Sequence, residues 1–154
     1  IIAAVIEEMA PLAQQSQIEL GVDEFDETLH VAAPARLLHE VFANLIGNAI
    51  QHMNRAGTVT ISLRRQGDHA RVLMADDGVG IPEEFRQKVF ERFFRIDESK
   101  ANSSGLGLAI VKEICDALGA RISLGSPASG TGLHVSIEFP LSACDQDEQT
   151  ASAS

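Results

Sequence analysis

Asp76-Asp77-Gly78-Val79-Gly80-Ile81-Pro82 is the stretch on which the reading of this chain turns. It follows Ala70-Arg71-Val72-Leu73-Met74-Ala75, where Ala70, Val72 and Met74 alternate with their neighbours as the inward residues of a half-buried strand do. One more step of that alternation carries Asp76 to the same inward face, at the strand's end. A carboxylate there needs partners, because an unpaired buried charge is strongly unfavourable or neutralises itself. The glycines behind it permit positive φ and remove side chains, so a flat ligand can approach the backbone. Taken alone, the stretch also reads as a turn capped by aspartates.

Three further segments keep it company: Asn44-Leu45-Ile46-Gly47-Asn48-Ala49-Ile50 upstream, then Phe90-Glu91-Arg92-Phe93-Phe94-Arg95 and Gly105-Leu106-Gly107-Leu108-Ala109-Ile110-Val111 downstream. In this order and spacing, the four resemble the N, G1, F and G2 boxes of bacterial sensor histidine kinases. Residues 1–140 are similar to the catalytic ATP-binding domain of that family, whose Bergerat-type fold is shared with type II topoisomerases, mismatch-repair ATPases and heat-shock chaperones. The resemblance implies an α/β sandwich (α+β): a mixed, mostly antiparallel sheet with one layer of helices, and ATP held between the helices and a mobile loop.

Composition agrees with a single domain. A length of 154 residues with 45% apolar content can bury a sizeable core. The formal net charge of −10 argues against nucleic-acid binding, which needs a basic surface. Against that acidic field, a site for a polyanion must gather its own positive groups locally. No apolar run approaches a membrane span, and there is no signal-peptide pattern. Cys115 and Cys144 are too few and too far apart for a disulfide framework or metal site, and read as free thiols of a reducing cytoplasm. The chain begins at Ile1, already inside a helix-like pattern, and reads as part of a longer protein.

In chain order, Ile2, Val5, Ile6, Met9, Leu12 and Ala13 predict an amphipathic helix over 1–16, with Pro11 set to kink its last turn. Residues 18–22 and 28–31 read as short strands separated by an acidic turn at 23–27. Pro34 opens a longer helix, where proline is tolerated in the first turn. Leu38, Val41, Leu45 and Ala49 make its apolar stripe; Asn44, Asn48, Gln51 and His52 form a polar ridge beside it. Such a ridge is ordinarily the wet side of a helix. Asparagines are poor interior helix residues, however, and two of them one turn apart suggest a purpose. Residues 58–63 alternate and pair, across Gln66-Gly67-Asp68, with the strand ending at Asp76. Ile81-Pro82-Glu83-Glu84 looks like a helix start. Leu106, Ile110, Ile114 and Leu118 repeat every four residues up to Gly119, a helix C-cap. A glycine-rich loop feeding that helix offers free backbone N–H groups to phosphate. Residues 121–124 and 133–139 close the sheet, and the acidic segment 141–154 is expected to be a disordered tail.

The resemblance assigns roles. Asp76 would accept a hydrogen bond from the exocyclic amine of adenine, satisfying its need for a partner, and Gly80 would let the ring pass; Gly78 and Ile81 belong to the same nucleotide-binding box. Asn48 would be a catalytic residue and the magnesium ligand, its amide oxygen facing a cation that bridges the phosphates, with Asn44 on the same ridge. Magnesium is usually held by few protein ligands plus substrate phosphates. Two departures follow: the family commonly has Lys where this chain has Gln51, and an aromatic residue where it has His52, which can still stack on the base. Arg95, the second catalytic candidate, would lie near the phosphates or the domain interface and gains importance beside an uncharged Gln51. Residues 96–104, with Lys100, would be the mobile loop over the nucleotide. Ser103 replaces a common glycine and would stiffen it, while Ser104, Gly105, Leu106, Gly107 and Leu108 keep the phosphate-binding pattern.

By the same resemblance, the domain binds ATP with Mg2+ and presents the γ-phosphate to a histidine on a separate dimerisation domain of the parent kinase, with a response regulator downstream. Such transfer is mostly positioning and charge neutralisation. The acceptor histidine is not in this chain: His39-Glu40 lacks the flanking residues of the acceptor box and reads as a surface or packing histidine. An ATP-hydrolysing switch of the topoisomerase type would need Glu four residues before the magnesium-binding Asn, where Asn44 cannot serve as a base. A nucleotide-sensing or partner-docking module without kinase activity is the other alternative, favoured by Gln51. An anti-sigma-factor serine kinase shares the scaffold, but the helix-like start weighs against it. The isolated domain is expected to be a cytoplasmic monomer.

Overall fold

Alternation along the strands decides which way the sheet faces. The computed structural model describes residues 1–53, 56–78, 80–92, 107–127 and 132–141. Five strands, β1 (Ile18–Phe25), β2 (Gly57–Gln66), β3 (His69–Asp76), β4 (Arg121–Gly125) and β5 (Leu133–Pro140), form one sheet in the order β1-β2-β3-β5-β4. The β1–β2 pair is parallel and the others are antiparallel, which gives the mixed, mostly antiparallel sheet anticipated above.

Val59, Ile61, Leu63, Ala70, Val72, Met74, Val135, Ile137 and Phe139 are buried at every second position of the three central strands. Against them pack the helices α1 (Ile2–Gln15), α2 (Ala35–His52) and α3 (Gly107–Ala117). The stripe of α2 is wider than read from sequence: Val41, Phe42, Leu45, Ile46, Ala49 and Ile50 are all buried. Phe42 meets Phe139 of β5 edge-on, with ring centroids 6.1 Å apart. Pro11 stands inside α1 without ending it. Gly119, at φ 70°, closes α3 as a helix C-cap.

The segment before α2 departs from expectation. Residues 23–25 continue β1 instead of turning, because β1 is an edge strand whose outward acidic side chains meet water while its backbone follows β2, through a bulge, to Phe25↔Leu63. The turn comes later, where the Thr28 N–H donates to Asp26 Oδ1 at 3.0 Å. Residues 28–31 are not a strand; Val31 makes a single bridge to Leu141. Leu141 is itself buried, so the packed body reaches one residue past the expected boundary at 140.

The region after Pro82 is two separate 3-10 turns, Glu83–Phe85 and Lys88–Phe90, rather than the start of a longer helix. An α-helical Phe85 N–H would bond the Ile81 carbonyl. Here it bonds Pro82 O at 2.9 Å, and Ile81 O accepts instead from the Arg86 guanidinium.

Candidate functional site

β3 delivers Asp76 to the buried face of the sheet at the strand's last position. In register it lies between Val59 of β2 and Leu133 of β5. Its Oδ1 accepts from the Gly78 N–H at 3.0 Å. Burial raises its pKa above the ordinary value of 3.8; backbone N–H groups of Gly78 and Leu133 pull it back, the Asp77 charge raises it and His134 lowers it. Desolvation is the largest of these, so the carboxylate is left wanting a further donor. Asp77, one residue on, has different work. Its Oδ1 accepts from the Thr58 N–H at 2.9 Å and its own N–H reaches Thr58 O, which fastens the turn to the start of β2.

The turn fits only because side chains are missing. Gly80 sits at φ 74°, and a Cβ there would lie 2.6 Å from the Gly132 carbonyl oxygen. Gly132, at φ 105°, lies under the backbone of Asp76 and Asp77; a Cβ on it would come 3.2 Å from Asp77 Cα and closer still to the Asp76 carbonyl. Sequence reading did not single out Gly132, because its place opposite Asp76 emerges only from the β3–β5 register. Met53 was also missed. It follows α2, and its side chain would be 3.4 Å from a Cβ at Gly78, so the end of α2 meets the turn after β3.

On the helical side, Asn48 is half-buried and faces α3. A Cβ at Gly107, the first residue of α3, would lie 2.7 Å from Asn48 Nδ2 and 3.1 Å from its Oδ1. The asparagine thus occupies the space that glycine vacates, and two segments 59 residues apart meet there. Among the described residues no hydrogen bond engages the Asn48 amide. Asn44 behaves differently: its Nδ2 donates to Glu40 O at 2.8 Å, within its own helix, so its donor is spent locally. Gln51 is exposed at the end of the ridge, and Ile81 and Leu108 are half-buried. His39 lies 2.7 Å from Glu8 Oε2, tying α2 to α1 as a packing histidine. Arg95, Lys100, Ser104, Gly105 and Leu106 lie outside the described residues, as do Ser103 and the tail after Leu141; of His52 only the backbone is described.

The donor set suits a hard cation brought in by a ligand. Among the described residues no group of three His, Cys, Asp or Glu side chains could hold a metal ion. A lone amide oxygen in a cradle opposite a glycine fits magnesium, which keeps most of its shell as water and phosphate oxygen.

Residues 33–143 match the family described as Histidine kinase-, DNA gyrase B-, and HSP90-like ATPase. The sensor-like histidine kinase SenX3 of Mycobacterium tuberculosis is 34% identical over 99% of this chain, which spans 38% of that protein. The chain covers well under half the length of the curated relatives it matches. Among solved structures, a mycobacterial sensor histidine kinase, MprB, aligns with a TM-score of 0.76 and 30% identity, over 90% of this chain and 93% of that one. Full-length ShkA in complex with AMPPNP aligns with a TM-score of 0.78 and 28% identity, over 92% of this chain and 29% of that one. No described helix is long and apolar enough to cross a membrane.

Proposed function

Since this chain belongs to the histidine kinase-, DNA gyrase B- and HSP90-like ATPase family, as the catalytic ATP-binding domain of a sensor histidine kinase, we propose that it binds Mg-ATP and presents the γ-phosphate to a histidine on a separate dimerisation domain, serving a response regulator indirectly. The observation that carries this reading is the meeting of Asn48 with Gly107, together with an inward, under-satisfied Asp76. The adenine amine gives Asp76 the donor that burial makes it want. Gly78 and Gly80 leave the ring room against the turn, with Ile81 beside it. Asn48 offers its amide oxygen to magnesium, which when bound would neutralise phosphate charge. Phosphates then lie toward the N-terminus of α3, where the first backbone N–H groups have no partner within the helix. Arg95 and Lys100 are proposed as the cationic groups near the outer phosphates, and Ser104, Gly105, Leu106 and Leu108 as the phosphate cradle with Gly107.

An ATP-hydrolysing switch gains no support. Asn44 stands where the water-activating Glu would be, and its amide is bonded to its own helix. The chain is proposed to act as a cytoplasmic monomer when isolated, with residues 1–140 as the domain, against which Leu141 packs. Incubation with γ-labelled ATP tests the division of labour. The chain alone should stay unlabelled, and an added acceptor domain from the parent kinase should take label on its histidine. Stable label on His39 would refute the reading, since that histidine is engaged with Glu8 of α1.

A further inference from the structure

The turn after Asp76 is gripped twice by the connection between β4 and β5. At one end of that connection, Gly132 lies under Asp76 and beside Gly80. At the other end stands Ser126, just past β4, whose hydroxyl accepts from Nη2 of Arg86. The Nε of the same guanidinium donates to the Ile81 carbonyl at 3.2 Å. Arg86 is half-buried in the short stretch between the two 3-10 turns. Only arginine does this well: its planar fork carries several donors in fixed directions and can serve two acceptors at once, whereas lysine is a single flexible point charge. The Ile81 carbonyl, which an α-helical Phe85 would use, accepts from Arg86 instead, while the Phe85 N–H bonds Pro82 O.

We propose that Arg86 is a positioning residue for the adenine end of the site, holding Gly80 and Ile81 against the β4–β5 connection so that Asp76 stays open to a planar base. This rests on the nucleotide-binding reading above. Arg86 itself makes no contact with nucleotide in this account; it acts through Ile81 and Ser126.

The test titrates the 154-residue chain with ATP and with GTP, comparing wild type with Arg86→Ala, Arg86→Lys and Ser126→Ala, and with Asp76→Ala as a control. Arg86→Ala should weaken ATP binding about three- to tenfold, the range of one net hydrogen bond. It should also narrow the preference for ATP over GTP, because a displaced turn presents Asp76 less squarely to the base, while leaving the magnesium concentration at half-effect unchanged. Arg86→Lys should not restore the preference. Ser126→Ala should give a smaller loss in the same direction, and the double variant should be no worse than Arg86→Ala, since both remove one shared contact. A lowered melting temperature with unchanged ATP affinity and an unchanged ATP-over-GTP ratio would overturn the proposal, because a merely structural staple behaves that way. If Arg86→Ala does not fold, Ser126→Ala decides on the same two readouts. A wild-type chain that fails to bind ATP, or Asp76→Ala that binds as tightly as wild type, would instead sink the nucleotide reading on which the proposal stands.

Discussion

Replacing Asp76 should separate what this residue costs the empty domain from what it gives the loaded one. Its carboxylate has two oxygens, and Oδ1 is already engaged by the Gly78 N–H at 3.0 Å. On the proposed reading, the acceptor capacity left after the backbone N–H groups of Gly78 and Leu133 would take the adenine amine. Asp76→Asn keeps the shape but has one acceptor oxygen for two donors, and its NH2 group would face another donor. Losing one hydrogen bond to a charged group costs roughly 1.5–3 kcal/mol, or about ten- to a hundredfold in ATP affinity. The empty domain should respond in the opposite direction. Burial raises the Asp76 pKa above 3.8, so the folded state holds this proton more tightly than the unfolded chain does. The sign follows: the penalty is absent below the unfolded pKa, grows as pH rises through the window up to the raised folded value, and is fully present above it. Asp76→Asn should therefore raise the melting temperature of the nucleotide-free domain at pH 7 while weakening ATP binding. In wild type, affinity should fall as pH drops through the raised pKa, because the neutral acid is a weaker acceptor than the carboxylate. Calorimetric titration with ATP at fixed magnesium, run beside thermal melting of the empty protein, reads both. Unchanged affinity in Asp76→Asn and Asp76→Ala would show that Asp76 does not hold the base.

Asn48→Ala should abolish the magnesium dependence of ATP binding while the fold, followed by circular dichroism, survives; a variant with the wild-type magnesium response would reduce Asn48 to a polar packing residue beside Gly107. Gln51 is exposed at the end of its ridge, so Gln51→Lys can reach toward the outer phosphates without displacing core residues. It should favour ATP over ADP by about 0.5–1 kcal/mol, the scale of an exposed ion pair. If Arg95→Ala flattens the ATP preference and Gln51→Lys adds nothing, Arg95 already supplies that charge.

Much of this site could be read in the sequence because its key features are local. Alternation through Ala70, Val72 and Met74 placed Asp76 inward, and the structure puts those three on the buried face. Helical spacing put Asn44 and Asn48 on one ridge, although the different use of their amides depends on a backbone carbonyl in one case and on α3 in the other. What escaped needed long-range register. Gly132 matters because β5 pairs with β3, which brings it under Asp76, and nothing in its own neighbourhood says so. Arg86 matters because its fork spans Ile81 and Ser126 across forty residues. The acidic run at 23–27 reads as a turn, yet only Asp26 and Glu27 lie in one; Asp23 and Glu24 extend β1, an edge strand on which their side chains meet water.

Central to the account is a single nucleotide site bounded by the end of α2, the turn after β3 and the start of α3. Backbone amide shifts of the isotopically labelled chain, followed during titration with Mg-ATP, test it most directly. Saturable shifts are expected at Asn48, Gly78, Gly80 and Gly107, with Ser62, Arg64 and Ser136 on the opposite face of the sheet unmoved. No saturable shifts, or shifts gathered on that opposite face, would contradict it.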